Sequence, residues 1–370
     1  MKVVITRIDL VNLVGKVQNI VPVKPTIPIL SNILIEAIDD QLILSVTDLT
    51  VSVRTYVEAK VLEEGAITLP AKRFFQLIRE LTSVQVEIQT FSSEIALVNA
   101  GSSHFRIQGM HKDEFPKFPN LSEGTQLTLS SSQLSYLLSR TSFAAARDDS
   151  KHALNGIFLQ SAENAIVFIG TDGKRLAKNH MKIDHIPSDL NSYIIPLKAI
   201  EEMIRLLDSK EDDPVILTLM PDKVAIEFKS VILITKLLSG QYPDVSRVIP
   251  EQIANPIALN RDELISLLRQ VSLFTSENSN SVRFTFTTGE LHLSAMSGSI
   301  GEGKVHMPVN YGGEKLEIAF NPNYFLDMLR HSKDESVNFS ISDPYNPGLI
   351  TDSTSAQFVI MPMRLEVNVS

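Results

Sequence analysis

Three stretches of the chain share one layout of apolar and polar positions. Residues 5–17 (I-T-R-I-D-L-V-N-L-V-G-K-V), 129–141 (L-S-S-S-Q-L-S-Y-L-L-S-R-T) and 259–271 (L-N-R-D-E-L-I-S-L-L-R-Q-V) each close a short strand-like run with a capping-type residue, Thr6, Ser130 or Asn260. An apolar stripe follows at i, i+3, i+4, i+7: Leu10/Leu13/Val14/Val17, Leu134/Leu137/Leu138/Thr141 and Leu264/Leu267/Leu268/Val271. That spacing predicts an amphipathic helix in each place. A second helix recurs in L69-P-A-K-R-F-F-Q-L-I-R79, I195-P-L-K-A-I-E-E-M-I-R205 and F320-N-P-N-Y-F-L-D-M-L-R330, each with a proline at the expected start. Those prolines, Pro70, Pro196 and Pro322, are 126 residues apart. Between the paired helices lie alternating patterns that predict strands, such as I33-L-I-E-A-I-D-D-Q-L-I-L-S, I157-F-L-Q-S-A-E-N-A-I-V-F-I and V282-R-F-T-F-T-T-G-E-L-H-L-S. Thr47-Asp48 follows its strand as Thr171-Asp172 follows the equivalent one.

A period of this length is that of a whole domain, far longer than a solenoid repeat. The pattern predicts three α+β domains, each with two helices packed on antiparallel sheet. The joints fall near residues 122–126 and 250–255, where Pro119, Gly124, Pro250 and Pro256 cluster. The boundaries are set at 1–123, 124–252 and 253–370.

Composition narrows the function classes. The chain is 44% apolar and 21% charged, an ordinary globular balance, and no run reaches the roughly 18 apolar residues of a membrane span. The start, M-K-V-V-I-T-R-I-D, lacks a signal peptide's layout. No cysteine is present, so disulfides and thiolate zinc sites are excluded, and a cytoplasmic protein is expected. A net charge of −9 makes a nucleic-acid binder conditional on gathering its cations on one surface. The second helices offer such a phase: Lys72 and Arg79 share a face, Lys198 and Arg205 repeat the spacing, and Arg330 keeps one member. Lys16 and Arg140 recur in the first helices, while Glu201, Glu202 and Asp327 dilute the signal. A solvated helix face and a shared cationic surface both fit.

Catalytic constellations are not apparent. G298-S-I-G-E-G-K304 fits part of a phosphate-binding loop, but Val305 stands where the metal-binding hydroxyl belongs. It also lies between two strand patterns, where no helix N-terminus can cradle phosphate, so a hairpin turn is expected. His180 and His185 are five apart beside Asp184, off the spacing that shares a helix face, and read as surface histidines. No nucleophile elbow or dinucleotide motif is present, and no cofactor or metal is expected.

The three repeats, with T171-D-G-K-R-L-A177, Y242-P-D-V-S-R-V248 and the M361-P-M-R-L365 ending, closely resemble the bacterial DNA polymerase III beta subunit family, the sliding clamps, over essentially the whole chain. K24-P-T-I-P-I-L30 and L154-N-G156 fit the same family. The resemblance implies three clamp-type domains per subunit and a head-to-tail homodimeric ring, with duplex DNA in a helix-lined hole. It implies a processivity factor, not an enzyme, and no membrane association. Its partners are DNA, the replicative polymerase's catalytic subunit, the clamp loader and other replication and repair proteins bearing short linear motifs. By resemblance their peptides enter a cleft walled by Leu154, Thr171, Gly173, Arg175, Leu176, Pro243, Arg247 and Val248, with Val359, Met361, Pro362, Met363 and Arg364 from the terminus. DNA phosphates would meet Lys24, Lys72, Arg79, Arg140, Lys198, Arg205 and Arg330, and the dimer contact would place Phe105 against the partner's Leu273 and Phe274. Two departures from the family pattern stand out: the R147-D-D-S150 loop carries two aspartates, and Glu366–Ser370 extends past the usual R-L end.

Overall fold

The computed structural model describes residues 1–92, 94–121, 124–162, 164–183, 191–207, 211–250, 256–276 and 280–364. Asp184, His185, Leu365, the tail Glu366–Ser370 and the boundary residues 123 and 252 lie outside the described residues. Within them one order of elements occurs three times: strand, helix, four strands, helix, three strands. The first pass adds one strand, Lys60–Glu63. Among the described residues the six α-helices are α1 (Arg7–Val17), α2 (Ala71–Glu80), α3 (Ser131–Ser142), α4 (Leu197–Leu207), α5 (Arg261–Ser272) and α6 (Pro322–His331).

The local signals act as their chemistry requires. The Thr6 hydroxyl accepts from Asp9 N–H at 3.1 Å, and the Asn260 side chain accepts from Glu263 N–H at 3.0 Å. Ser130 accepts from Gln133 N–H at 3.3 Å while Gln133 Oε1 accepts from Ser130 N–H at 3.0 Å, a reciprocal cap on α3. The three predicted stripes are buried, with Leu267 only partly covered. Pro322 is the first residue of α6, whereas Pro70 and Pro196 each end the preceding strand.

The chain divides into two compact units. The first comprises Met1–Ser135 and Lys198–Leu237. It contains a five-stranded sheet in the order Lys60–Glu63, Lys2–Thr6, Gln85–Ser92, Ile95–Ala100, Ser103–Gln108. Its eight-stranded sheet runs Thr125–Ser130, Pro214–Leu219, Lys223–Phe228, Val231–Lys236, Val51–Glu58, Gln41–Thr47, Asn32–Ile38, Gly65–Pro70. α1 packs its stripe on α2 and on Val51–Glu58.

The second unit comprises Tyr136–Leu197 and Leu238–Ser370. Its eight-stranded sheet runs Tyr193–Pro196, Gly156–Ala162, Ala165–Thr171, Arg175–Lys182, Gln357–Ile360, Gly348–Thr351, Ser336–Ser340, Ile257–Asn260. A four-stranded sheet runs Gly301–Pro308, Glu290–Ser297, Val282–Thr287, Leu316–Phe320. α5 packs on α6 and on the four-stranded sheet, over a core that includes Phe284 and Phe325 with ring centroids 5.0 Å apart.

The long sheets are therefore shared by neighbouring repeats. In the first unit Leu233 pairs with Val53, and in the second Leu176 pairs with Val359, all antiparallel. Each junction covers a strand edge that would otherwise present unpaired backbone groups. The 298–304 segment is the expected hairpin: Ser297 pairs with Gly301 and Ser294 with Lys304, whose ammonium lies 2.6 Å from Glu302. Among the described residues no helix is long and apolar enough to cross a membrane.

Candidate functional site

Two turns of the same construction close the third strand of the first and second repeats, Gln41–Thr47 and Ala165–Thr171. The Thr171 hydroxyl donates to Arg175 O at 2.6 Å and accepts from Gly173 N–H at 3.1 Å. Asp172 Oδ1 accepts from the N–H groups of Lys174 and Arg175, each at 2.9 Å. In the first repeat Thr47 accepts from Leu49 N–H at 3.0 Å, and Asp48 Oδ1 accepts from Thr50 and Val51 N–H. The residue between is left-handed in both, at φ +80° for Gly173 and +74° for Leu49. Glycine adopts that conformation freely, whereas leucine is strained there. No side chain therefore projects from the turn at Gly173, where a Cβ would meet open space.

This turn forms one lip of a cavity of about 650 Å³ in the second unit. The cavity brings together nine of the thirteen residues expected to line a cleft. Leu154, Leu176 and Val359 are buried in the apolar cluster beneath it, with Thr171 beside them. Gly173 and Arg175 come from the turn, while Pro243, Val248 and Met361 are exposed at the rim. The rim also holds groups outside the quoted motifs, Lys151, His152 and Gln241, together with Asp244 from within Y-P-D-V. Lys151, His152 and Gln241 flank the quoted L-N-G and Y-P-D-V segments, and that adjacency is the signal that would have found them.

The terminal segment divides at its proline. Met361 N–H donates to Lys174 O at 2.9 Å, extending the ladder alongside the turn. Pro362 has no donor, and Met363 N–H then donates to Ala319 O at 2.7 Å, bridging to the strand Leu316–Phe320. Pro362, Met363 and Arg364 are not brought to the cavity. Arg247 is also outside it, with its side chain 88% exposed and Nε 3.6 Å from Asp244. It borders a smaller hollow of about 280 Å³ that shares Val248 with the first. Arg175 is constrained: Nε lies 3.2 Å from Asp172 Oδ2, Nη1 lies 2.7 Å from Asp327 Oδ2, and the guanidinium stands 4.5 Å over the Tyr324 ring.

The expected phosphate contacts separate into three groups. Lys24, Lys72 and Arg79 are exposed, and Lys72 and Arg79 share one face of α2. Lys198, Arg205 and Arg330 are partly engaged. Lys198 pairs with Asp48, Arg205 lies 2.6 Å from Glu202 and donates to Lys16 O at 2.5 Å, and Arg330 lies 3.1 Å from Asp327. The expectation for Arg140 is overturned. It is only 4% exposed, bonded to Tyr136 Oη at 2.9 Å and to Asp352 at 2.5 Å, with the Phe358 ring 5.3 Å away. A buried, paired guanidinium cannot reach a phosphate.

Lys16 is half-buried, and burial followed by the nearby Lys229 lowers its pKa. Phe105 lies on the edge strand Ser103–Gln108 of the first unit. In the second unit Leu273 is 72% exposed just after α5, and the Phe274 ring packs over Gly303, where a Cβ would come within 2.5 Å of it. Burial, then Lys178 and Lys182, lower the His180 pKa. The described residues contain no cluster of potential metal ligands.

Models of the DNA polymerase III beta subunit match the chain in series: the N-terminal domain at residues 1–119, the central domain at 128–244 and the C-terminal domain at 246–364. The beta sliding clamp of Chlamydia muridarum is 52% identical over 365 residues, covering 99% of both chains. That of Haemophilus influenzae is 30% identical over 364 residues, covering 98% of this chain and 99% of its own. Among solved structures, the sliding clamp of Bartonella birtlesii, bound to griselimycin, superposes with a TM-score of 0.95 at 30% identity, covering 99% of this chain and all of that one. The chain belongs to the bacterial DNA polymerase III beta subunit family, the sliding clamps, and is a non-enzymatic DNA polymerase processivity factor.

Proposed function

We propose that two copies of this cytoplasmic chain join head to tail into a ring that encloses duplex DNA and slides on it without reading sequence. The three domains take the boundaries 1–123, 124–252 and 253–370. Lys24, Lys72 and Arg79 meet phosphates, with Lys198, Arg205 and Arg330 exchanging carboxylate contacts for phosphate as the duplex passes. Phosphate contacts position a protein without specifying a base, so they are compatible with sliding. Phe105 of one copy packs against Leu273 and Phe274 of the other.

The replicative polymerase's catalytic subunit, the clamp loader and other replication and repair factors dock by short linear peptides. The observation that carries this reading is the 650 Å³ cavity: an aliphatic floor of Leu154, Leu176 and Val359 under a rim of Val248 and Met361. It suits apolar anchor side chains, and the unbranched Met361 side chain at the rim suits more than one peptide. From the cavity the peptide runs past Arg247 on one side and toward Pro362, Met363 and Arg364 on the other.

The test is a fluorescence titration of the full chain with a labelled peptide from the polymerase's catalytic subunit. Saturable binding displaced by griselimycin is expected, with affinity falling roughly tenfold in Val248→Ala and Met361→Ala. Unchanged affinity in both variants would place the peptide elsewhere.

A further inference from the structure

Arg175 lies where the cleft meets α6, and one carboxylate holds it there while also holding a second cation. Asp327 Oδ2 accepts from Arg175 Nη1 at 2.7 Å, and Asp327 Oδ1 accepts from Arg330 Nη1 at 3.1 Å. The two arginines differ in situation. The Arg175 side chain is almost enclosed, packed over Tyr324 and joined through Nε to Asp172 of the cleft turn. Arg330, in the last turn of α6, is about half exposed and has room to turn toward solvent.

We propose that Asp327 is a positioning residue through which the cleft senses an anion on α6. With nothing bound, Asp327 divides its charge between two guanidinium groups that repel each other. A phosphate of enclosed DNA that draws Arg330 away removes this competitor and leaves Asp327 to Arg175 alone. Arg175 is then held more firmly against Asp172, which fixes the turn Thr171–Leu176 that forms the cleft lip. A lip already fixed has less freedom to lose when a peptide enters, so DNA and peptide favour each other's binding. By linkage the coupling is reciprocal: a bound peptide strengthens the contact with DNA by the same factor. The pairs are partly exposed, which limits the effect to about two- to fivefold.

The proposal rests on the ring-and-cleft reading above and is tested on the full chain with the same labelled polymerase peptide. Peptide affinity is measured on the free protein and on protein loaded onto a nicked circular duplex, whose retention is followed by a second label. Wild-type affinity is expected to rise about two- to fivefold with duplex. Asp327→Asn should bind peptide more weakly and lose the response. Arg330→Gln should bind at the duplex-bound level from the start and also lose it. Equal peptide affinity with and without bound duplex in the wild type overturns the proposal. So does a wild-type response in either variant, and should Asp327→Asn fold poorly, Arg330→Gln decides alone. Absence of any peptide binding to the wild type would instead bring down the cleft reading, and the proposal with it.

Discussion

Leu176 serves two purposes at once. It is 2% exposed, pairs with Val359 across the sheet and yet contributes to the cavity floor. Leu176→Ala is therefore expected to cost about 2–4 kcal/mol of stability as well as peptide affinity, whereas the rim changes cost affinity alone. Denaturant titration of Leu176→Ala beside Val248→Ala checks this, and equal stability of the two would mean that Leu176 is not part of the core. The floor residues were legible in the sequence because Leu176 sits in the T-D-G-K-R-L motif, Leu154 in L-N-G, and Val359 two residues before M-P-M-R-L. The commitments of their neighbours were not. Arg140 occupies the same helical phase as Lys16, and only the approach of Asp352, 212 residues away, decides that it is buried. Asp327 reads in the sequence as a dilution of a basic face, and its grip on Arg175 depends on tertiary placement.

At the scale of elements, what could be read was local. Caps at Thr6, Ser130 and Asn260 and the apolar stripes depend on neighbours within four residues, and all three first helices formed where the pattern placed them. Sharing of a sheet between repeats depends on which distant edge is left unpaired, which no local pattern encodes. The Arg140–Asp352 pair pins α3 to the segment after the strand Gly348–Thr351. Burial alone would raise the Asp352 pKa, but hydrogen bonds from the Thr354 hydroxyl, Lys333 N–H, Arg140 and Thr354 N–H outweigh it and leave it below the usual aspartate value. A depressed carboxylate stabilises the fold above its unfolded pKa of about 4, and that contribution is lost as pH falls through the lower folded value. Asp352→Asn, which strands a buried guanidinium, is expected to cost about 3–5 kcal/mol at neutral pH. Its stability should also decline less steeply than the wild type's on acidification. Thermal unfolding from neutral to acidic pH measures both, and parallel curves would contradict the assignment.

For the whole molecule, the relevant quantity is where the charge sits, since a chain of net charge −9 repels DNA except at faces where cations are exposed. Lys24, Lys72 and Arg79 supply such positions, and enclosure by a ring makes strong attraction unnecessary. The proposed head-to-tail contact covers the exposed Leu273 with a second copy. Leu273→Asp changes a residue that is 72% exposed, so the fold should survive while sedimentation shifts from dimer toward monomer. An undisturbed dimer would mean the contact lies elsewhere. The central claim, that retention on DNA is topological, is tested most directly by loading the protein on a nicked circular duplex, adding salt to screen phosphate contacts, and cutting the circle. The account predicts that the protein stays on the intact circle and leaves once the DNA is linear. Equal retention on both forms, or equal loss from both, would contradict it.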